Sequence, residues 1–344
     1  MLTNEQEEKI KNALLNSANP FYFFHDDPDG LCSFLLLYRY HKEGKGYVVK
    51  AVPNLTINHY KNVEEYSADA IFILDLAMVE QDFLDKSRVP VYWLDHHNPL
   101  EREKVYYCNP RISFEQNWPT PVMCYQIVKQ DLWLATLGCI GDWVIPPFIE
   151  EFKQKYPDLL PENIKTVQEA LYNSKLGILI KIFSFILKGP TNKVYKNIKI
   201  LTRIQEPYEI LNQTTPQGKF IWKYYETINK DYENLLKNAL KTKSKTKLFV
   251  YTYSSDKLSL TKDVANELIA RFPEKIIVLG RIKDDEVRCS FRAKEGIRLD
   301  LALAKSLEGI EGYGGGHEEA CGGAIKTHNF EQFLKQLEEA LNDE

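Results

Sequence analysis

Between residues 19 and 143 the chain repeats one pattern: a short unbroken apolar run, a longer amphipathic stretch, then another apolar run. "FYFF" (21–24), "YVVKAV" (47–52), "AIFILDL" (70–76) and "VPVYWLD" (89–95) are brief, rich in β-branched and aromatic residues, and bounded by turn formers. Strands buried on both faces read this way. Strand, helix, strand in succession predicts a parallel α/β sheet, and such a sheet gathers functional residues at the carboxyl ends of its strands. The charged residues of this segment stand at those ends. "HDDPDG" (His25–Gly30) follows the first run, Asp75 closes the third and "DHH" (Asp95–His97) the fourth. Groups seventy positions apart can therefore converge on one crevice.

Beyond residue 143 the strand signal fades, and helices are expected over 162–188, stopped at Gly189-Pro190, then over 192–205 and 218–240. The Lys-alternating "KTKSKTK" (241–247) reads as an exposed linker. After it, "LFVYTYS", "KIIVLGRI" and "EVRCSFRAK" are strand-like, while "TKDVANELIARF", "LDLALAKSLE" and 329–342 are helical; the glycine-rich "GYGGGHEEACGGAI" lies among them. The expected division is an α/β domain over 1–143, a helical segment over 144–240, the linker, and a smaller α/β domain over 248–344. A chain of 344 residues, 44% hydrophobic, can bury two such cores.

The polar N-terminal stretch reads as a helix, not a signal peptide. The longest apolar run, Leu176 to Leu187, is too short to span a bilayer and contains Lys181. Six cysteines form no C-x-x-C pair, as expected of buried thiols in a reducing compartment. A cytoplasmic protein with no membrane partner is expected. The net charge of −4 hides an asymmetry: residues 151–247 hold 18 Lys and Arg against 9 Asp and Glu, and the remainder is acidic. Such a basic middle is a solvated helical face or a surface for a polyanion's backbone.

Four acidic or histidine-bearing clusters stand in the first domain: His25-Asp26-Asp27-Pro28-Asp29-Gly30, Asp75, Asp95-His96-His97, and Asp142 in "LGCIGDW". Each alone is explained by a helix or turn cap. Together they present mixed Asp and His ligands suited to a pair of divalent ions about 3.5–4 Å apart, which need a bridging carboxylate and flanking ligands. Cations would also explain why carboxylates are tolerated at buried strand ends. Imidazole among hard oxygen ligands favours manganese, with magnesium the other candidate.

"DHH", preceded by "HDDPDG" and the strand-end Asp75 and followed by "GD" (Gly141-Asp142) and a distal "GGGH" (Gly314–His317), resembles the DHH phosphoesterase superfamily in its subgroup with a DHHA1 domain. The resemblance covers residues 19–143 and 248–326. It implies a parallel-sheet DHH domain, the helical middle segment and a smaller α/β DHHA1 domain. By the same resemblance Asp27 ligates one metal, Asp29 the other, and Asp75 bridges both. His96 is a ligand beside Asp95, His97 sits near the scissile phosphate to assist the leaving group, and Asp142 completes the second metal's shell. His25 either ligates the first metal or stands behind it, and Asp26 faces solvent. In "CSFRA", Ser290 and Arg292 alternate onto one strand face. With Gly314, Gly315, Gly316 and His317 they resemble the nucleotide grip of DHHA1 domains, across a cleft from the metals.

The H-x-D-x-D-G spacing is similar to RecJ-like nucleases, archaeal ones included. Short-oligonucleotide and dinucleotide phosphodiesterases of the superfamily would instead require an Asp at position 31, which is Leu31. The expected function is thus metal-dependent removal of nucleotides from an end of single-stranded DNA or RNA. The alternatives are an enzyme for very short oligonucleotides or cyclic dinucleotides, and a replication or repair scaffold without catalysis. Residues 144–240 carry no transferable signature and are open to a strand guide, a homo-oligomer contact or a replication or helicase partner. His41, His59 and His328 are expected at the surface, and Trp93 in the core.

Overall fold

The computed structural model describes residues 1–50, 54–114, 117–244, 246–255 and 258–342. Two compact units divide the chain, Met1–Tyr225 and Glu226–Glu344.

The first unit is built on five parallel strands in the order β2-β1-β4-β6-β7. These are β1 (Pro20–His25), β2 (Lys45–Val49), β4 (Ala70–Leu74), β6 (Val91–Leu94) and β7 (Tyr106–Cys108). A two-residue pair, β3 (Asn54–Leu55) with β5 (Met78–Val79), stands apart from them. Register is set by Phe24 opposite Leu74, Ile73 opposite Trp93 and Leu94 opposite Cys108. The strands read as continuous apolar runs because both faces are covered. Phe21, Phe23, Ile71, Ile73 and Trp93 share one core layer. On the other face Phe24 stacks on Phe34 of the helix Pro28–His41, ring centroids 4.6 Å apart. Strand order reverses between β1 and β4, which marks the crevice at their carboxyl ends as the topological switch point.

Several boundaries differ from the sequence expectation. The second strand runs 45–49, and positions 51–52 of the expected run lie outside the described residues, as does 245 of the expected linker. The strand Tyr106–Cys108 was not anticipated; three residues are too few to establish a period. The helix expected over 162–188 is two, Val167–Asn173 and Lys175–Ile186. Ser174 separates them by accepting the Gly177 N–H on its hydroxyl at 3.1 Å, an N-cap in the middle of an apolar pattern. The helices expected over 192–205 and 218–240 span Thr191–Leu201 and Pro216–Ala239, with a short helix, Pro207–Leu211, between them.

The second unit holds a mixed sheet, order β11-β12-β10-β9-β8. Its strands are β8 (Leu248–Ser254), β9 (Ile276–Lys283), β10 (Glu286–Arg292), β11 (Gly312–His317) and β12 (Ala320–Lys326). Only β8 and β9 pair in parallel. The glycine-rich stretch, to which the sequence assigned no element, is a β-hairpin. A Cβ at Gly323 would meet the Tyr313 carbonyl oxygen at 2.6 Å, and Gly316 has φ +155°, so these positions need glycine to let the two strands close. All six cysteines are buried free thiols. Trp93 is fully buried and donates its indole N–H to the Leu76 carbonyl at 3.0 Å. His328 is exposed, and His41 bonds the Ser17 carbonyl. His59, by contrast, is half-buried against the rings of Phe23 and Tyr47, so it is a packing residue. Among the described residues no helix is long and apolar enough to cross a membrane.

Candidate metal centre

The "HDDPDG" turn is built for one purpose locally: to start a helix immediately after a strand. Asp27 is the N-cap of the helix Pro28–His41, accepting the Gly30 N–H at 3.2 Å, and Pro28 occupies the first turn. A Cβ on Gly30 would lie 2.6 Å from the backbone of His25, so only glycine lets the helix fold back this tightly on β1. Asp29 then points inward and is 1% exposed. Asp75 leaves β4 with φ +57°, a left-handed conformation uncommon for a non-glycine residue, and is 2% exposed. Asp95 follows β6 and is fully buried. Asp142 caps the helix Leu132–Gly141. That helix approaches Pro28 so closely that a Cβ on Gly141 would sit 2.8 Å from the Pro28 Cβ.

These tips meet. Three groups of side chains each bring their ligand-type atoms within 4.8 Å of one another: His25, Asp27 and Asp75; Asp29, His96 and Asp142; and Asp75, His96 and His97. Asp75 joins them. Its Oδ2 lies 3.5 Å from His25 Nδ1, and its Oδ1 lies 3.4 Å from His96 Nε2. Around these, His25 Nδ1 stands 3.0 Å from Asp27 Oδ2, and His96 Nε2 lies 3.8 Å from Asp29 and 3.7 Å from Asp142. His97 Nδ1 is 2.7 Å from Asp95 Oδ1, whose other oxygen accepts the His97 backbone N–H at 3.1 Å. Asp26 is half-buried, with His25 Nε2 3.5 Å away, rather than turned wholly to solvent.

So many carboxylates are unstable together without cations. Burial and the neighbouring Asp75 push the Asp29 carboxyl well above the usual carboxylate range. Burial disfavours charge on His25 and His96, yet the surrounding carboxylates outweigh it and hold both imidazoles well above their ordinary value. His97 is raised in the same way, burial opposing and Asp95 prevailing. Asp75 Oδ2 is buried and accepts no hydrogen bond. A buried carboxylate oxygen whose nearest partner is an imidazole nitrogen 3.5 Å away, among further acidic groups, is what a divalent cation satisfies.

Sequence reasoning missed the residues that hold this cluster in place. Asn117 Oδ1 lies 3.1 Å from His96 Nδ1, which assigns the proton to Nδ1 and leaves Nε2 facing the carboxylates. Arg111 donates to the His96 carbonyl at 2.8 Å and to Asn98 at 3.0 Å. Asn109 donates to the His97 carbonyl and to the Tyr107 hydroxyl, which in turn reaches Asp95. Thr120 N–H and Ser33 hydroxyl donate to Asp29. Asn109 and Arg111 follow the carboxyl end of β7, so recognising that strand would have exposed them.

In the second unit, strand register brings four of the six other expected residues, Ser290, Arg292, Gly315 and His317, onto one face. Ala320 pairs with Arg292 on one side and His317 on the other; Gly322 pairs with Ser290 and Gly315. Residues directly opposite in a ladder share a face. Arg292 and His317 therefore flank a floor of Ala320, Gly322 and Gly315. A Cβ at Gly315 would meet nothing within 4 Å, and one at Gly322 only a carbonyl oxygen at 3.8 Å, so that floor is smooth and open. Gly314 and Gly316 point to the opposite face, Gly314 against Leu303. The guanidinium of Arg292 is braced by Asn266 at 2.6 Å and by the carbonyls of Phe291 and Cys321. Ser290 is buried.

The chain thus combines a parallel sheet with an Asp- and His-lined switch point and a mixed-sheet domain with this glycine floor. Residues 245–343 match the family model described as the DHHA1 domain. The chain is 22% identical to an uncharacterized protein of Methanocaldococcus jannaschii, covering 98% of each. It superimposes on RecJ in complex with Mn2+ from Thermus thermophilus with a TM-score of 0.73 at 14% identity, covering all of this chain but 55% of that one. The chain thus spans about half the length of that RecJ. It also superimposes on the pGpG-specific phosphodiesterase PggH of Vibrio cholerae, TM-score 0.54, 14% identity, covering 94% of this chain and 99% of that one. The chain has the RecJ-like DHH/DHHA1 fold.

Proposed function

We propose that this chain is a metal-dependent phosphodiesterase that removes nucleotides from an end of single-stranded DNA or RNA. The observation that carries the reading is Asp75: its two carboxylate oxygens are turned to two different sets of ligand-type groups, as a carboxylate shared by two cations requires. His25 and Asp27 would hold one ion, and Asp29, His96 and Asp142 the other. Manganese suits a site with two imidazoles among carboxylates, with magnesium the alternative. Such ions, when bound, lower the pKa of a water and neutralise charge on phosphate oxygens.

The chain's own residues supply the rest. Asp95 fixes the His97 ring through Nδ1 and keeps it protonated, so Nε2 carries a proton for the leaving oxygen. The floor of Ala320, Gly322 and Gly315 lets a nucleotide approach the backbone, with Arg292 and His317 beside it for phosphate and sugar. The reading is tested by digesting end-labelled single strands of DNA and RNA, a twenty-mer against a dinucleotide, with Mn2+, Mg2+ or EDTA. Stepwise shortening of the twenty-mer with metal alone is expected. Cleavage of the dinucleotide only would replace the reading with a short-substrate enzyme, and no cleavage of either would end it.

A further inference from the structure

The first unit carries a second polar surface that the metal centre does not use. From residue 175 to residue 203 the chain has seven Lys and Arg and no Asp or Glu. The helix Thr191–Leu201 sorts them: Val194, Ile198 and Leu201 are buried, while Lys193, Lys196 and Lys199 are exposed three residues apart on the outer face, followed by the exposed Arg203. None of these four pairs with a carboxylate among the described residues. Lys196 instead lies 4.7 Å over the ring of Phe220, which is flanked on its own helix by the exposed Lys219 and Lys223. Tyr224 fixes this second helix by donating to the Lys188 carbonyl at 2.7 Å, and Asn197 fixes the first by donating to Ile186 at 2.9 Å.

The surface adjoins the metal cluster through one link. Tyr195, on the same helix, is hydrogen-bonded to the backbone of Val48, and its ring centroid is 6.4 Å from that of Tyr47. Val49, the next residue, pairs with His25. A row of cations without carboxylate partners on one helix face, in a chain that is acidic elsewhere and beginning one strand from the candidate centre, has the chemistry of a polyanion contact.

We propose that Lys193, Lys196, Lys199 and Arg203 form a track for the phosphodiester backbone of single-stranded nucleic acid, feeding the strand to the metal cluster. The proposal rests on the phosphodiesterase reading for its direction but is measured without catalysis. Fluorescence anisotropy of labelled dT20 and U20 in EDTA, across 50 to 200 mM KCl, compares the wild type with Lys193→Glu/Lys196→Glu/Lys199→Glu, the corresponding triple Gln variant and the triple Arg variant. The Glu variant is expected to bind both strands at least about tenfold more weakly, the Gln variant to fall between, and the Arg variant to bind like wild type. The slope of log affinity against log salt should fall by about 2 in the Gln variant, three phosphates at roughly 0.7 each. Unchanged affinity and slope in the Glu and Gln variants would overturn the track even if the wild type cleaves single strands. Loss of the Mn2+-induced rise in melting temperature alongside weakened binding would overturn it too, since the lysines would then act through the cluster. Binding of an acidic peptide such as poly-Glu weakened as much as binding of dT20 would assign the face to an acidic protein partner instead.

Discussion

Asp75 Oδ1 lies 3.4 Å from His96 Nε2, while the other oxygen of the same carboxylate is buried without a hydrogen bond. One side chain thus belongs to two ligand sets, and its loss should disable both. Asp75→Asn keeps the shape and removes the charge. It is expected to abolish the Mn2+-induced rise in melting temperature and to lower phosphodiesterase activity by at least about a thousandfold, since metal-dependent charge stabilisation and water activation are lost together. Differential scanning fluorimetry and a single-turnover assay check it; a variant with wild-type Mn2+ response would remove Asp75 from the centre.

Protons and cations compete for this cluster, which fixes the sign of its pH dependence. In the metal-free protein Asp29 is raised by burial and by Asp75, and His25 and His96 are raised by their carboxylates against the opposing effect of burial. The folded state therefore binds protons that the unfolded chain has released, from above the ordinary carboxylate value for Asp29 and above the ordinary imidazole value for the histidines. This stabilisation is complete below those values and lost as pH rises through the raised ones. The melting temperature in EDTA should fall relative to that in Mn2+ as pH rises from about 6 to about 8.5, so the metal-induced increment grows with pH. An increment that shrinks over that range would contradict the assignment of these groups.

Much of this was legible before any coordinates, and the reason differs by element. β1, β4 and β6 announced themselves because a parallel strand buried on both faces must be apolar throughout, so Asp75 and Asp95 stood out as the charges that end them. The three-residue strand Tyr106–Cys108 had no such signature, and with it went Asn109 and Arg111. Ser174 hid a helix break because a cap inside an apolar pattern looks like an ordinary polar residue until its hydroxyl is seen on Gly177. The glycine-rich stretch received no secondary structure from the sequence because glycine carries no side-chain period, and pairing with β10 decides its conformation.

Asn117 is one of the residues no pattern revealed, and its contact with His96 Nδ1 at 3.1 Å makes it a positioning residue. Asn117→Ala is expected to weaken Mn2+ binding by about 10- to 100-fold by releasing the tautomer and ring orientation of His96. Titration of Mn2+ against the melting temperature reads the affinity directly. Asn117→Gln should recover part of it, and unaltered affinity in the alanine variant would show that Arg111 alone suffices.

Gly141 is required by approach, not by backbone conformation, because a Cβ there would lie 2.8 Å from the Pro28 Cβ. Gly141→Ala must push the end of the helix Leu132–Gly141 away from the start of the helix Pro28–His41, and with it Asp142 from Asp29. Overpacking of this kind costs typically about 1–3 kcal/mol. The predicted signature is a lowered melting temperature together with weaker Mn2+ binding. Gly138→Ala, whose Cβ would meet Pro121 and Cys32 deeper along the same helix, should lose stability with less effect on the metal response.

His97 separates from the metal ligands by its partner. Asp95, fully buried, is 2.7 Å from His97 Nδ1 and holds the imidazole protonated against the effect of burial. If Nε2 delivers the proton to the leaving oxygen, activity is lost as pH rises through the raised His97 value. Asp95→Asn removes the raising charge, so that loss should begin at lower pH, and the maximal rate should fall by about 10²- to 10⁴-fold, the usual worth of general acid catalysis. Replacing the leaving group by p-nitrophenolate, which departs without a proton, should restore much of the rate to Asp95→Asn and to His97→Ala alike. Equal damage on both substrates would mean that His97 serves the cluster's shape and not the proton.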